Sequence, residues 1–176
     1  IKKMKISIIG DISLNNRYID LYKKNINPFS EIETILKASD LVIGNLECIA
    51  ESSQGENLFK KPRLKTKLET LNFLLNINLG IAAFANNHVY DNCREGFEKT
   101  LGVLNDLAIS YLGASTIESN ANKPLLLNNN NAQIAILNYV THDTNPKLPE
   151  NADVYLNFYN QERSCKEIRD LKKQVN

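Results

Sequence analysis

Three short apolar runs, each closed by a cluster of polar residues, constrain this chain more than any other feature. Residues 4–9 (MKISII) run into Gly10-Asp11. Residues 41–43 (LVI) run into Gly44-Asn45-Leu46-Glu47. Residues 81–85 (IAAFA) run into Asn86-Asn87-His88. Runs of that length, rich in β-branched residues and bounded by turn formers, read as buried strands. Between them lie segments of helical period. Residues 30–39 place Ile32, Ile35 and Leu36 on one face behind a Ser30 cap, and Leu64, Leu68, Leu71 and Leu75 recur at helical spacing before Gly80, which fits the helix end. Residues 50–63 read as a polar loop. Asn92 and Glu95 have capping-box spacing ahead of a helix that buries Phe97, Leu101, Leu104 and Ala108.

Strand, helix, strand in repetition implies parallel pairing. Tyr111-Leu112 adds a fourth short strand. Residues 124–127 and 132–140 flank Asn128, Asn129, Asn130 and Asn131 and read as a hairpin. A last helix over 161–175 puts Cys165, Ile168, Leu171 and Val175 on one face. The expected class is α/β, with a mostly parallel sheet flanked by helices and a hairpin addition. At 176 residues, one domain suffices.

Composition narrows the function classes. Net charge is +1, so bulk attraction to nucleic acid or anionic lipid has no basis, and no nucleic-acid module signature is present. No apolar run is long enough to span a bilayer. Cys48, Cys93 and Cys165 form no CxxC pair, so neither a disulfide framework nor a zinc ribbon is expected. Residues 1–3 (IKK) lead at once into the first strand, so a signal peptide is not expected within this sequence. The expected compartment is cytoplasmic, or membrane-anchored or extracytoplasmic if a leader has been removed upstream of Ile1. Neither GxGxxG nor a Walker-type phosphate loop follows any strand, which disfavours a nucleotide-binding domain.

In an open α/β sheet, sites form outside the carboxyl ends of the strands. Parallel pairing of the three runs would therefore bring Asp11, Asn45, Glu47, Asn86, Asn87 and His88 to one rim. Two carboxylates, amide oxygens and an imidazole suit a hard or borderline divalent metal. Each piece alone has an ordinary reading: Asp11 as a turn aspartate, Glu47 as a surface residue, His88 as a structural histidine. Together, on consecutive strand ends, they point to a common site. The basic stretch Lys60, Lys61, Arg63, Lys65 and Lys67 reads either as a solvated loop or as an attractor for an anionic substrate.

These segments resemble the bacterial capsule biosynthesis family associated with poly-γ-glutamate, of the CapA type, whose fold is similar to calcineurin-like metallophosphoesterases. The resemblance rests on Gly10-Asp11, on Asn45-Leu46-Glu47 and on Asn86-Asn87-His88 followed by Asp91. Thr100, Leu104, Leu112-Gly113-Ala114 and Lys123-Pro124 extend it, and it runs in order from about residue 4 to residue 140. It implies Asp11, Glu47, Asn87 and, less directly, Asn45 as metal ligands. His88 would face the substrate as a general acid or as a hydrogen-bond donor to developing charge, and Asp91 would orient His88 or start the helix. Asn86, Lys61 and Arg63 would contact substrate. The implied cofactor is a divalent pair (Mn, Fe or Zn). The implied partner is an anionic polymer or a phosphorylated small molecule, within a capsule-synthesis complex. Two departures stand out. Cys93 occupies a position where the family carries Gly, so a left-handed turn there is harder to form. His142, the second of two histidines, sits in a Thr-His-Asp-Thr loop and reads as an ordinary loop residue. The expectation is the N-terminal portion of a longer CapA-like domain, binding metal weakly and turning over little by itself. The competing expectation is a non-catalytic component that uses the same cleft to bind polymer or partner.

Overall fold

The structure, a computed structural model, describes residues 3–129 and 132–175; Ile1, Lys2, Asn130, Asn131 and Asn176 lie outside the described residues. β1 (Ile6–Ile12) is followed by α1 (Arg17–Lys23) and α2 (Ser30–Lys37), then β2 (Leu41–Leu46) and β3 (Ile49–Ala50). After a long loop come β4 (Lys65–Thr66), a 3-10 helix (Leu68–Leu75), β5 (Leu79–Ala83) and α3 (Cys93–Asp106). β6 (Ser110–Leu112), β7 (Ala114–Ser115) and α4 (Glu118–Ala121) precede the hairpin β8 (Leu125–Asn129) and β9 (Ala132–Ile136). β10 (Tyr155–Leu156) and α5 (Gln161–Leu171) complete the described chain.

The main sheet runs β1-β2-β5-β6, and every neighbouring pair is parallel. β8 and β9 pair antiparallel, the expected hairpin addition. The α/β class expected from the sequence is the class observed, and the arrangement is consistent with a metallophosphoesterase-like fold. Leu71, Leu74, Phe84, Phe97 and Leu104 are fully buried, with Phe84 and Phe97 packed edge to face at 5.5 Å. Gly44 lets β1 approach: a Cβ there would sit 2.5 Å from Ile12 Cδ1.

Several local expectations are corrected. The first run is an edge strand rather than a buried one: β1 ends the sheet order, pairing among the described residues with β2 alone, and Ile8 is 80% exposed. The strand also does not stop at Gly10 but continues through Asp11 to Ile12. Ser30 is the first helical residue of α2 rather than its cap, and only Leu36 of the expected apolar face is buried. α1 is not among the expected elements, although Tyr18, Leu21 and Tyr22 recur at helical spacing and pack, partly buried, against the core; with only two turns the signal is short. The leucine repeat folds as a 3-10 helix, whose tighter winding buries Thr70, Leu71, Phe73 and Leu74 and leaves Leu68 and Leu75 largely outside. Gly80 lies within β5, and the left-handed residue before that strand is Asn78. α3 buries Phe97 and Leu104 as expected, but Ala108 lies beyond its end and is exposed, while Thr100 is buried instead. In α5, Ser164 and Leu171 are buried, whereas Ile168 is 53% exposed and Cys165 is exposed.

Candidate functional site

β1, β2 and β5 lie side by side and point the same way, so their carboxyl ends share one rim. The pairing of β1 with β2 shifts register between Ile9 and Asp11, a β-bulge at Gly10. Simple alternation would place Asp11 on the same face as Ile9, which lines a groove with Phe29 and Leu36. The extra residue turns Asp11 instead onto the face of its partner Asn45.

A line of side chains then joins the three strand ends. Asn45 Nδ2 donates to Asp11 Oδ1 at 2.7 Å and makes a longer 3.5 Å contact with Glu47 Oε1. Asn86 Nδ2 donates to Asn45 Oδ1 at 3.0 Å and to the Leu46 carbonyl at 2.9 Å. Asn86 Oδ1 accepts from the His88 backbone N–H at 2.9 Å. Asp11, Asn45, Glu47, Asn86 and His88 are thus brought together. Asn87 points to one side: its Nδ2 donates to the Thr144 carbonyl at 3.0 Å. That contact brings the His142 loop to the site's edge, although the His142 ring itself stacks on Phe158 at 4.2 Å.

His88 and Asp91 form a buried pair. His88 Nδ1 lies 2.6 Å from Asp91 Oδ2, and Asp91 is 1% exposed. An ionised carboxylate only accepts, so this contact places the imidazole proton on Nδ1 and leaves Nε2 as the free ring nitrogen. Asp91 Oδ2 also accepts from the Leu64 backbone N–H at 2.7 Å, and Asp91 Oδ1 faces the Lys60 ammonium at 3.3 Å. Burial, and next the negative charge of Asp11, push the Glu47 carboxyl above the usual carboxylate range.

The basic stretch divides into separate roles. Arg63 Nε pairs with Glu56 Oε2 at 2.7 Å, and its Nη1 donates to the Lys60 carbonyl at 2.8 Å. Lys65 pairs with the same Glu56, and Lys67 with Glu51. Lys61 is exposed and, among the described residues, has no ion-pair partner. Lys60 is the one that turns inward, 5% exposed, onto Asp91 and the Asn87 carbonyl. The sequence offers no local signal that sets Lys60 apart from its neighbours, because long-range packing decides which cation is buried.

The donor chemistry bears on metal binding. Asp11 and Glu47 are hard oxygen donors drawn together by one amide, which suits a divalent cation in kind. In number the set is short. Among the described residues, no three His, Cys, Asp or Glu side chains are grouped so as to hold a metal ion. Cys48 is no candidate: it is fully buried, accepts from the Leu14 N–H, and burial pushes its thiol up to about 12. Among the described residues, no helix is long and apolar enough to cross a membrane.

Comparison with known proteins gives a consistent match. The family described as "Bacterial capsule synthesis protein PGA_cap" matches over residues 5–175. The "PGA biosynthesis protein CapA" of Bacillus subtilis (strain 168) is 29% identical over 126 residues, which is 69% of this chain and 33% of that protein. The "Capsule biosynthesis protein CapA" of Bacillus anthracis is 24% identical over 149 residues, 78% of this chain and 35% of that protein. The aligned part is therefore about a third of the length of each of these relatives.

Proposed function

The chain belongs to the bacterial capsule synthesis protein family PGA_cap, and from that premise we propose that it carries the first part of a metal-assisted, phosphoesterase-like cleft working in the biosynthesis of a capsule polymer of the poly-γ-glutamate kind. The observation that carries this reading is the hydrogen-bonded line from Asp11 through Asn45 and Asn86 to the backbone of His88. It spans three strand ends of a parallel sheet, where α/β folds place their chemistry.

Asp11 and Glu47 would hold a divalent cation, with the Asn87 and Asn45 amide oxygens as further candidates. The cation would supply Lewis acidity and an activated water. Asn45 holds the two carboxylates in register. Asn86 fixes the turn that presents His88. Asp91 keeps the proton on His88 Nδ1, so Nε2 is the nitrogen free to exchange a proton with substrate or to stabilise developing charge. Lys61, exposed and unpaired among the described residues, is the cation placed to meet an anionic substrate. Arg63 is tied to Glu56 and supports the loop from behind.

The test is metal analysis of the full-length protein alongside Asp11→Ala, together with His88→Ala assayed in the same full-length protein on phosphoester and γ-glutamyl substrates. Loss of metal in the first variant and loss of turnover with retained metal in the second are expected. Unchanged metal content in Asp11→Ala would remove the ligand assignment. One observation favours a second reading, a non-catalytic polymer- or partner-binding component: the absence of a three-ligand group among the described residues. Polymer binding that survives His88→Ala, without turnover in wild type, would select it.

A further inference from the structure

Lys60 is a lysine in an unusual place. It is 5% exposed, and its ammonium donates to the Asn87 carbonyl and lies 3.3 Å from Asp91 Oδ1 and 3.0 Å from His88 Nδ1. An ammonium has donors only, and Nδ1 carries a proton directed at Asp91 Oδ2, so the approach to Nδ1 is not a hydrogen bond. The working contacts of Lys60 are the Asn87 carbonyl and Asp91 Oδ1. Arg63 holds the Lys60 carbonyl from the other side, and Asn57 N–H binds the Asp91 carbonyl at 2.9 Å, so the loop is anchored around this one side chain.

From this geometry we infer that Lys60 is a positioning residue that commits Asp91 to His88. Three carboxylates lie in or beside the cleft: Asp11, Glu47 and Asp91. With Lys60 on Oδ1, and Leu64 N–H and His88 Nδ1–H on Oδ2, both oxygens of Asp91 are occupied. Its charge is offset by the ammonium at the same point. Asp91 is thereby withheld from any cation bound at the rim, and Asp11 and Glu47 alone set the negative charge offered there. Through the Asn87 carbonyl, the same ammonium fixes the backbone turn between the strand end and His88. Burial lowers the affinity of Lys60 for its proton, and the Asp91 charge works against that, as expected for a buried cation held by one carboxylate.

The inference rests on His88 being the group that faces substrate, yet its test reads the ring directly and needs neither metal nor turnover. In the 15N-labelled protein, a buried Nδ1–H held by a carboxylate gives a downfield imidazole proton that exchanges slowly with water. Lys60→Met removes the charge and both donors at similar length. The His88 Nδ1–H resonance should then shift and exchange at least about ten-fold faster, the change expected when local opening loses on the order of one charged hydrogen bond. Lys60→Arg should restore the wild-type resonance. Lys67→Met, in the same basic stretch, should leave it in place. If Lys60→Met does not fold, Lys60→Gln, which keeps donors but removes the charge, takes its place and should move the resonance in the same direction by a smaller amount. An unmoved resonance in the neutral variant, failure of Lys60→Arg to restore it, or no protected Nδ1–H in wild type overturns the inference. A wild-type protein with the protected resonance but no metal affinity overturns the proposed function and leaves the role of Lys60 standing.

Discussion

Asn45 Nδ2 donates a 2.7 Å hydrogen bond to Asp11 Oδ1 across a separation of 34 residues, and the bond exists because β1 carries a bulge one residue earlier. Regular alternation would have turned Asp11 toward the helix-covered side of the sheet. A bulge costs regular pairing at one position and re-aims one side chain. Here the re-aimed residue is the carboxylate that opens the candidate site.

Asn86 is the residue on which this line depends most. It is 5% exposed and bonds Asn45 Oδ1, the Leu46 carbonyl and the His88 N–H at once. Asn86→Ala leaves those groups without partners in a partly dry setting, each loss costing about 1–3 kcal/mol before relaxation. We expect a net destabilisation of about 2–3 kcal/mol in urea unfolding. A loss below about 0.5 kcal/mol, the level of an ordinary surface change, would show that the line carries no weight.

The parts of this arrangement that were legible in the sequence are those set by local chemistry. β-branched runs ending in Gly-Asp, Gly-Asn and Asn-Asn-His announce strands and their polar ends, and the order of strands follows from the helical segments between them. What was not legible depends on distant packing. Ile8 belongs to a run that reads as core, yet it is on an edge strand, and periodicity does not separate the two. Glu95 has capping-box spacing from Asn92, but its carboxylate instead accepts from Ser52, Ser53 and Gln54 across the loop. The burial of Lys60 rather than Lys61 follows from where Asp91 ends up, which a linear pattern does not encode.

Cys93 stands in a left-handed conformation, with φ of 55°. The turn therefore keeps the geometry that favours glycine even though its residue is cysteine. A non-glycine residue there costs about 1–2 kcal/mol, because its Cβ crowds the following carbonyl oxygen. Cys93→Gly should raise stability by about 1 kcal/mol, and Cys93→Val, which adds β-branching, should lower it. Thermal melts of the two variants read this directly, and opposite signs from those stated would mean that the turn is held open by contacts of the thiol itself.

Thiol chemistry should sort the three cysteines by depth. Cys48 is fully buried and its thiol is pushed up to about 12, so almost none is thiolate near neutrality. Cys165 is exposed and Cys93 is intermediate, with burial and then the Asp153 charge raising its thiol. Under native conditions a maleimide should modify Cys165 first, Cys93 more slowly, and Cys48 only on unfolding. Early labelling of Cys48 by mass spectrometry would place that part of the core in solvent.

Glu47 gives the pH dependence a definite sign. Its carboxyl is raised above the ordinary 4.5 by burial and by Asp11, so the folded chain holds this proton more tightly than the unfolded chain. The contribution to stability is fully present below about pH 4.5 and is lost as pH rises through the raised folded value. Above the raised folded value, the ionised Glu47 is a net cost to the metal-free chain. Glu47→Gln should therefore raise its melting temperature increasingly as pH rises through the raised folded value, and the gain should vanish in acid. A divalent cation inverts the relation, because it competes with the proton for the same oxygens. Added Mn2+ should stabilise wild type increasingly as pH rises and should do so little in Glu47→Gln. Equal stabilisation of both proteins by Mn2+ across that range would take Glu47 out of the site.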